Sequence, residues 1–171
     1  MRAGWAGLGI VLAIAAPLAA ETIDRVLAVA AGQLIMESDV VGMRDLGFVT
    51  PDSGANADAS VLSKLIDREL MLAEVDRYAP PEPESAQIDR DLAAVRARFP
   101  SEQAYDAVLN RAGLQPANVR EIVRQNLRLE AYLAERFVVQ DGDQQRRQGM
   151  IDEWVAGLRR RSPPMVLGTQ P

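Results

Sequence analysis

The sequence predicts a mainly α domain with a small β-hairpin completed by a C-terminal strand. Three observations carry that expectation. Apolar residues recur at steps of three and four through most of the chain after Ser38, the period of helices that bury one face. Two short arms, residues 26–30 and 33–36, flank Ala31-Gly32 in the layout of a hairpin. A last apolar triplet, Met165-Val166-Leu167, is forced extended by Pro163-Pro164 and needs a strand to pair with.

Residues 1–20 precede that domain. Arg2 leads into an uncharged stretch of alanine, glycine, leucine and isoleucine that ends Pro17-Leu18-Ala19-Ala20 before Glu21. A basic start, a short apolar middle and small residues at the end describe a secretory signal peptide, with cleavage expected after Ala20 and residues 21–171 forming a single domain. An uncleaved membrane anchor would want about 20 more strongly hydrophobic residues.

In the hairpin the first arm is apolar on both faces, so one face should meet the core and the other be covered by a later segment. Ser38 is placed to cap a short helix that closes at Leu46-Gly47. From Phe48 to Asp58 the chain holds Pro51, Gly54 and Asn56 and reads as an exposed, mobile loop. The helix expected over residues 60–78 carries Leu62, Leu65, Ile66, Leu70, Leu72 and Val75 with few gaps. Such wide apolar coverage marks a central helix, and Pro80-Pro81 stops it. A third helix from Glu84 or Ser85 sets Ile88, Leu92, Val95 and Phe99 in one narrow stripe ahead of Pro100.

Ser101 caps a fourth helix with Tyr105, Val108, Leu109 and Ala112 inward and Gly113 closing it. Gln115-Pro116 opens a fifth, since proline suits the first helical position, and Val119, Ile122, Val123, Leu127 and Leu133 carry its inner face to about Phe137. Residues 140–149 are polar and read as a joint. Beyond them Met150, Ile151, Trp154, Val155 and Leu158 make one more amphipathic helix, so the returning helix and strand are expected over about residues 150–167.

Composition removes most chemistry. The chain of 171 residues is 48% hydrophobic and 25% charged, the balance of one globular domain. It has no cysteine and no histidine, hence no thiol nucleophile, no imidazole base and none of the usual zinc or iron ligand sets. Eighteen arginines and Lys64 face 24 carboxylates for a net charge of −5, and acids alternate with arginines along the helices, which argues against a nucleic-acid partner. The one dense basic cluster, Arg159-Arg160-Arg161, reads as a solvated helix C-terminus favoured by the helix dipole. Arg120, Arg124 and Arg128, at i, i+4 and i+8, read as a solvated stripe.

The weak catalytic constellations read as structure. Asp141-Gly142-Asp143 lacks the further acids and closing glutamate of a calcium loop and reads as a turn. Asp67, Glu69 and Glu74 read as solvated or arginine-paired carboxylates rather than an acid and base. Met36, Met43, Met71 and Met150 read as core filler that could alternatively line an adaptable binding surface. No catalytic, cofactor-binding or metal-binding residue is expected, no cofactor, and no small-molecule substrate.

The run Ile23-Asp24-Arg25-Val26-Leu27-Ala28-Val29 through Gly32-Gln33-Leu34-Ile35-Met36-Glu37-Ser38-Asp39-Val40 resembles the opening of the SurA-type periplasmic chaperones. So do Leu65-Ile66-Asp67-Arg68-Glu69-Leu70 and the paired helices ending at residues 130–137. The closing helix through Arg161, with Met165-Val166-Leu167, is similar to the segment that returns to complete the N-terminal module of that family. The resemblance spans nearly all of the chain after the signal peptide. It implies a periplasmic chaperone or holdase that shields unfolded outer-membrane polypeptides, without a retained membrane anchor.

Two departures accompany it. Members of the family commonly carry parvulin-type prolyl isomerase domains between the long helix and the returning one, where this chain has only the short polar joint, so no isomerase activity is expected. The hairpin turn, often Asn-Gly in the family, is Ala31-Gly32, and alanine resists the positive φ that a tight turn with two left-handed residues requires. A different class of function stays open: a non-catalytic envelope assembly subunit with one dedicated protein partner. Nothing in the sequence places the peptide-binding residues.

Overall fold

The computed structural model describes residues 24–54, 56–140 and 143–167. The expected signal peptide and the Asp141-Gly142 turn lie outside them. The described chain runs β1 (Val26–Ala30), β2 (Gln33–Met36), α1 (Glu37–Asp45), α2 (Ala57–Tyr78), α3 (Ser85–Arg96), α4 (Glu102–Arg111), α5 (Pro116–Arg136), α6 (Gln144–Arg161) and β3 (Met165–Val166). It is a mainly α fold with one three-stranded antiparallel sheet, order β2-β1-β3.

The hairpin forms through the turn that alanine disfavours. Ala31 and Gly32 sit at φ 50° and 81°, so both central residues are left-handed and the strands inherit the right twist. A β-bulge between Val26 and Ala28 sets two residues of β1 against one step of β2. The extra residue breaks strict alternation, and Leu27 and Ala28, neighbours in sequence, are both buried. The two-sided apolar pattern of the first arm therefore comes from a bulge. β3 pairs along the free edge of β1, Val166 opposite Ala28 and Met165 opposite Val29, and Leu167 N–H donates to Leu27 O at 2.9 Å. The lone C-terminal strand has the hairpin as its partner.

Ser38 does not cap α1. The helix starts two residues earlier, with Met36 at the cap position, and Ser38 turns its backbone N–H and its hydroxyl toward the carboxylate of Asp24, which serves the first turn from just ahead of β1. At the other end Gly47, φ 73°, donates to Arg44 O, and Phe48 donates to Met43 O. That pair of bonds is the glycine-closed helix end the sequence suggests. α1 crosses close to the end of α4, because a Cβ at Gly42 would stand 2.9 Å from Leu114 Cδ1.

The loop after α1 is exposed from Asp52 to Gly54 but anchored. Asp52 N–H donates to Ser60 Oγ, Ser60 donates back to its carboxylate, and Lys64 donates to Thr50 O and Asp52 Oδ1 at 2.7 and 2.6 Å. Asn56 accepts from Asp58 and Ala59 N–H, so α2 starts at Ala57 and Ser60 is a buried anchor in its first turn. The polar segment expected as a joint is the start of α6. Asp143 accepts from Arg146 N–H, and Gln144 through Gln148, all good helix formers, add more than a turn before Met150.

The core has two lobes. Leu27, Ala28, Ala30 and Ile35 of the sheet meet Val40, Met43, Val61, Leu62, Leu65, Ile66 and Leu70, with Leu158 of α6 closing the side. Leu46, Ile88, Val95, Tyr105, Val108, Leu109, Val119, Val123 and Leu127 form the second lobe from the ends of α1 and α3–α5. Phe48 packs against both. No helix among the described residues is long and apolar enough to cross a membrane.

Candidate functional site

A cleft of about 480 Å³ opens between the hairpin and α5. The sheet contributes Gln33, Leu34 and Ile35, α1 contributes Asp39 and Met43, α2 contributes Leu65, Arg68 and Glu69, and the far wall is Leu114, Asn118, Glu121, Ile122 and Gln125. Helical spacing explains the two walls: residues 118, 121, 122 and 125 follow one face of α5, and 65, 68 and 69 one face of α2.

Arg68 braces the cleft. Its guanidinium donates to Glu69 Oε1 at 2.9 Å within α2 and crosses to α5, reaching Gln125 Oε1 at 2.8 Å and Asn126 Oδ1 at 3.3 Å. The charge is satisfied in place, and its side chain is 11% exposed. Two half-buried carboxyls flank it. Burial pushes Glu69 above its ordinary value, opposed by the adjacent Arg68. Burial likewise raises Asp39, partly offset by the hydrogen bond that Met36 N–H donates to it at 2.8 Å and reinforced by the negative charge of Asp24.

Leu34 carries this cleft onto the open face of the sheet. The register sets Leu34 opposite Val29 and Val29 opposite Met165, so the three share one face. Leu34 is 60% and Met165 62% exposed, and Leu167 adds to the apolar surface at the sheet's edge. The result is a wall of apolar and amide side chains with two carboxyls at its base, suited to holding an extended, chemically varied ligand.

The other residues singled out in the sequence fall elsewhere. Asp67 pairs with Arg159 at 2.5 Å and Glu74 with Arg77 at 3.0 Å, so of those three acids only Glu69 faces the cleft. The arginine stripe of α5 is not simply solvated. Arg120 pairs with Asp89, Arg124 with Glu121 and Glu82, and buried Arg128 with Asp76 at 2.8 Å, tying α5 to α2, α3 and the segment between them. Met43 is buried and lines the cleft, Met71 packs against the first core lobe, and Met150 is exposed.

Sequence reasoning missed Asp39 and the amide wall Asn118 and Gln125. Their polar character shows in the sequence, but the cleft that half-buries them exists only once the hairpin stands against α5. Set beside known proteins, the chain matches no protein-family model, no curated protein and no solved structure.

Proposed function

We propose that the protein is a holdase of the bacterial periplasm that binds unfolded polypeptides, outer-membrane proteins above all, and performs no isomerisation. The observation that supports this most is the cleft between the hairpin and α5 running into the row Leu34, Val29 and Met165, of which Leu34 and Met165 are exposed. A cleft of this kind favours plural, weak contacts. Apolar side chains on an open rim hold varied segments, amides at Asn118 and Gln125 can pair with a stranger's backbone, and Leu34 and Met165 are unbranched at Cβ and adapt their shape. The half-buried Glu69 carboxyl pairs with Arg68, whose hydrogen bonds fix the walls, which suits a binding surface better than a reacting centre. The export signal read in residues 1–20 and the resemblance to SurA-type chaperones support the same reading.

Two assays test it. Light scattering from a urea-unfolded β-barrel protein diluted into buffer should fall when the chain is added near equimolar amounts. Proline-limited refolding, which takes tens to hundreds of seconds at 25 °C, should keep its rate. Unchanged scattering across several clients, together with capture of one stoichiometric partner from an envelope extract, would instead make this a dedicated assembly subunit.

A further inference from the structure

A second cleft, of about 370 Å³, shares no residue with the first. It follows one face of α6, where Met150, Glu153, Trp154, Gly157, Arg160 and Arg161 stand at helical spacing, and is closed by Arg136 and Phe137 from the end of α5. Phe137 and Trp154 line it, their ring centroids 5.4 Å apart, and behind them Tyr132 and then Tyr78 continue a series of tilted ring contacts at 5.8 and 5.5 Å.

Arg136 is held over these rings, its guanidinium carbon 5.6–5.9 Å from all four centroids. Among the described residues it pairs with no carboxylate, and neither do Arg160 and Arg161. Arg161 Nη1 and Arg160 Nη2 both come within 4 Å of the point a Cβ would occupy at Gly157. The absence of a side chain there lets two like charges converge over the helix. Arg147, one turn before Met150 on the same face, donates to Phe137 O at 3.2 Å, which adds a fourth guanidinium.

The exposed guanidinium groups of Arg136, Arg160 and Arg161 converge without a carboxylate partner among the described residues and are free to receive an external anion. Arg111, Arg120, Arg124, Arg128 and Arg159, by contrast, are paired across elements with this chain's own carboxylates. This one end is left basic on a molecule of net charge −5, with Glu153 the one carboxylate lining the cleft. The cleft is shallow, exposed Met150 lines it with apolar surface, and exposed Val138 follows Phe137 directly in the chain. Guanidinium groups present paired donors to phosphate oxygens, and an aromatic and aliphatic border suits the boundary between headgroups and acyl chains.

We propose that this face of α6 docks the protein on a membrane surface of anionic phospholipid, with Arg136, Arg160 and Arg161 receiving headgroup phosphates. A flat array of headgroups engages arginines spread along a helix face simultaneously, which a single small anion in a shallow cleft does not. The acidic remainder of the molecule is repelled by the same surface, so docking is oriented with α6 toward the bilayer.

The test uses the chain from Glu21 onward, since both core lobes are built from Leu27 and later residues. It is sedimented with vesicles of phosphatidylcholine alone and of equimolar phosphatidylcholine and phosphatidylglycerol. Binding is expected only to the anionic vesicles, with Trp154 fluorescence shifting to the blue and the interaction fading in high salt. Arg160→Gln with Arg161→Gln, both exposed positions, should lower the partition coefficient about thirtyfold at an unchanged melting temperature, as expected for two charges near an anionic surface. Arg136→Gln supplies a second, independent loss. Equal partition onto both kinds of vesicle, or undiminished binding by the double variant, overturns the proposal. So does saturable binding of an acidic peptide such as poly-glutamate without any preference for anionic vesicles, which would assign the face to polypeptide instead.

Discussion

Arg159 of α6 reaches Asp67 of α2 at 2.5 Å through Nε, and its Nη2 donates to both the carbonyl and the hydroxyl of Ser63 at 2.9 Å. One guanidinium thus fastens the returning helix to the central one over a full turn of α2. The neighbouring arginines of the same triplet are directed to the other side of α6, so the basic cluster divides into a strut and a free pair.

Loss of that strut should be measurable but small. The pair is about one-third exposed, so Arg159→Ala is expected to cost about 1 kcal/mol and lower the melting temperature by about 2–4 °C. Removing α6 and β3 together, from residue 144 onward, takes away buried Leu158 and Ile151, deprives Tyr132 and Phe137 of Trp154 and reopens the edge of β1. Roughly 5 kcal/mol of apolar burial goes with them, and a thermal melt should drop by more than about 10 °C. A truncated chain that melts like the parent would sink this account of the fold.

Ala31 is strained. A left-handed conformation costs an L-residue about 1–2 kcal/mol, and asparagine tolerates it better than alanine. Ala31→Asn is therefore expected to raise stability by about 1 kcal/mol, seen as a higher urea midpoint at constant slope, while Ala31→Val should lower it. Ala79, φ 46° and exposed at the end of α2, should respond to Ala79→Gly in the same direction.

Glu69 couples stability to pH. Its folded value lies above the ordinary 4.5, so the folded chain holds the proton more tightly than the unfolded one. The burial penalty on its charged form is present in full above the raised value and fades as pH falls through it toward 4.5. Asp39 acts in the same sense above 3.8. Glu69→Gln should melt higher than the parent at about pH 7, with the two converging toward about pH 4. A gap that widens on acidification would reverse the assignment.

Arg128 invites the opposite expectation from that usual for a buried ion pair. Its side chain is 9% exposed, but its partners Asp76 and Glu82 are 66% and 61% exposed and regain water when it is removed. Its Nε is buried without a hydrogen bond. Arg128→Met, which keeps the stem and discards the charge, should change stability by less than about 1 kcal/mol, whereas Arg128→Ala should cost about 2 kcal/mol in lost packing. Equal losses in chemical denaturation of both variants would show that the charge itself matters.

Most helices were legible because their signals are local. Pro100, Gly113, Pro116 and the stripe Ile88, Leu92, Val95 act within one turn, and α3–α5 lie where those residues put them. The errors arise where a distant partner decides. Ser38 looks like a cap until Asp24 is folded beside it, and the start of α2 is read at about residue 60 until Asn56 is seen capping it at Ala57. In residues 140–149 polarity obscured helix, although Asp143 before a run of glutamines and arginines is a readable start. Tyr132, turned from the apolar stripe of α5, is buried only because Tyr78 and Trp154 arrive on either side. The cleft was not legible at all, since its walls come from four separate elements.

The pairing of β3 with β1 also sets a timetable. Ala28 and Val166 lie far apart along the chain, so a chain threaded outward from its N-terminus exposes one margin of β1 until residues 165–166 have emerged. Throughout that interval the protein carries an unsealed strand margin of the sort that recruits stray partners. Its sheet closes only after all six described helices have been made, and a chain stalled short of residue 165 would itself need protection from aggregation.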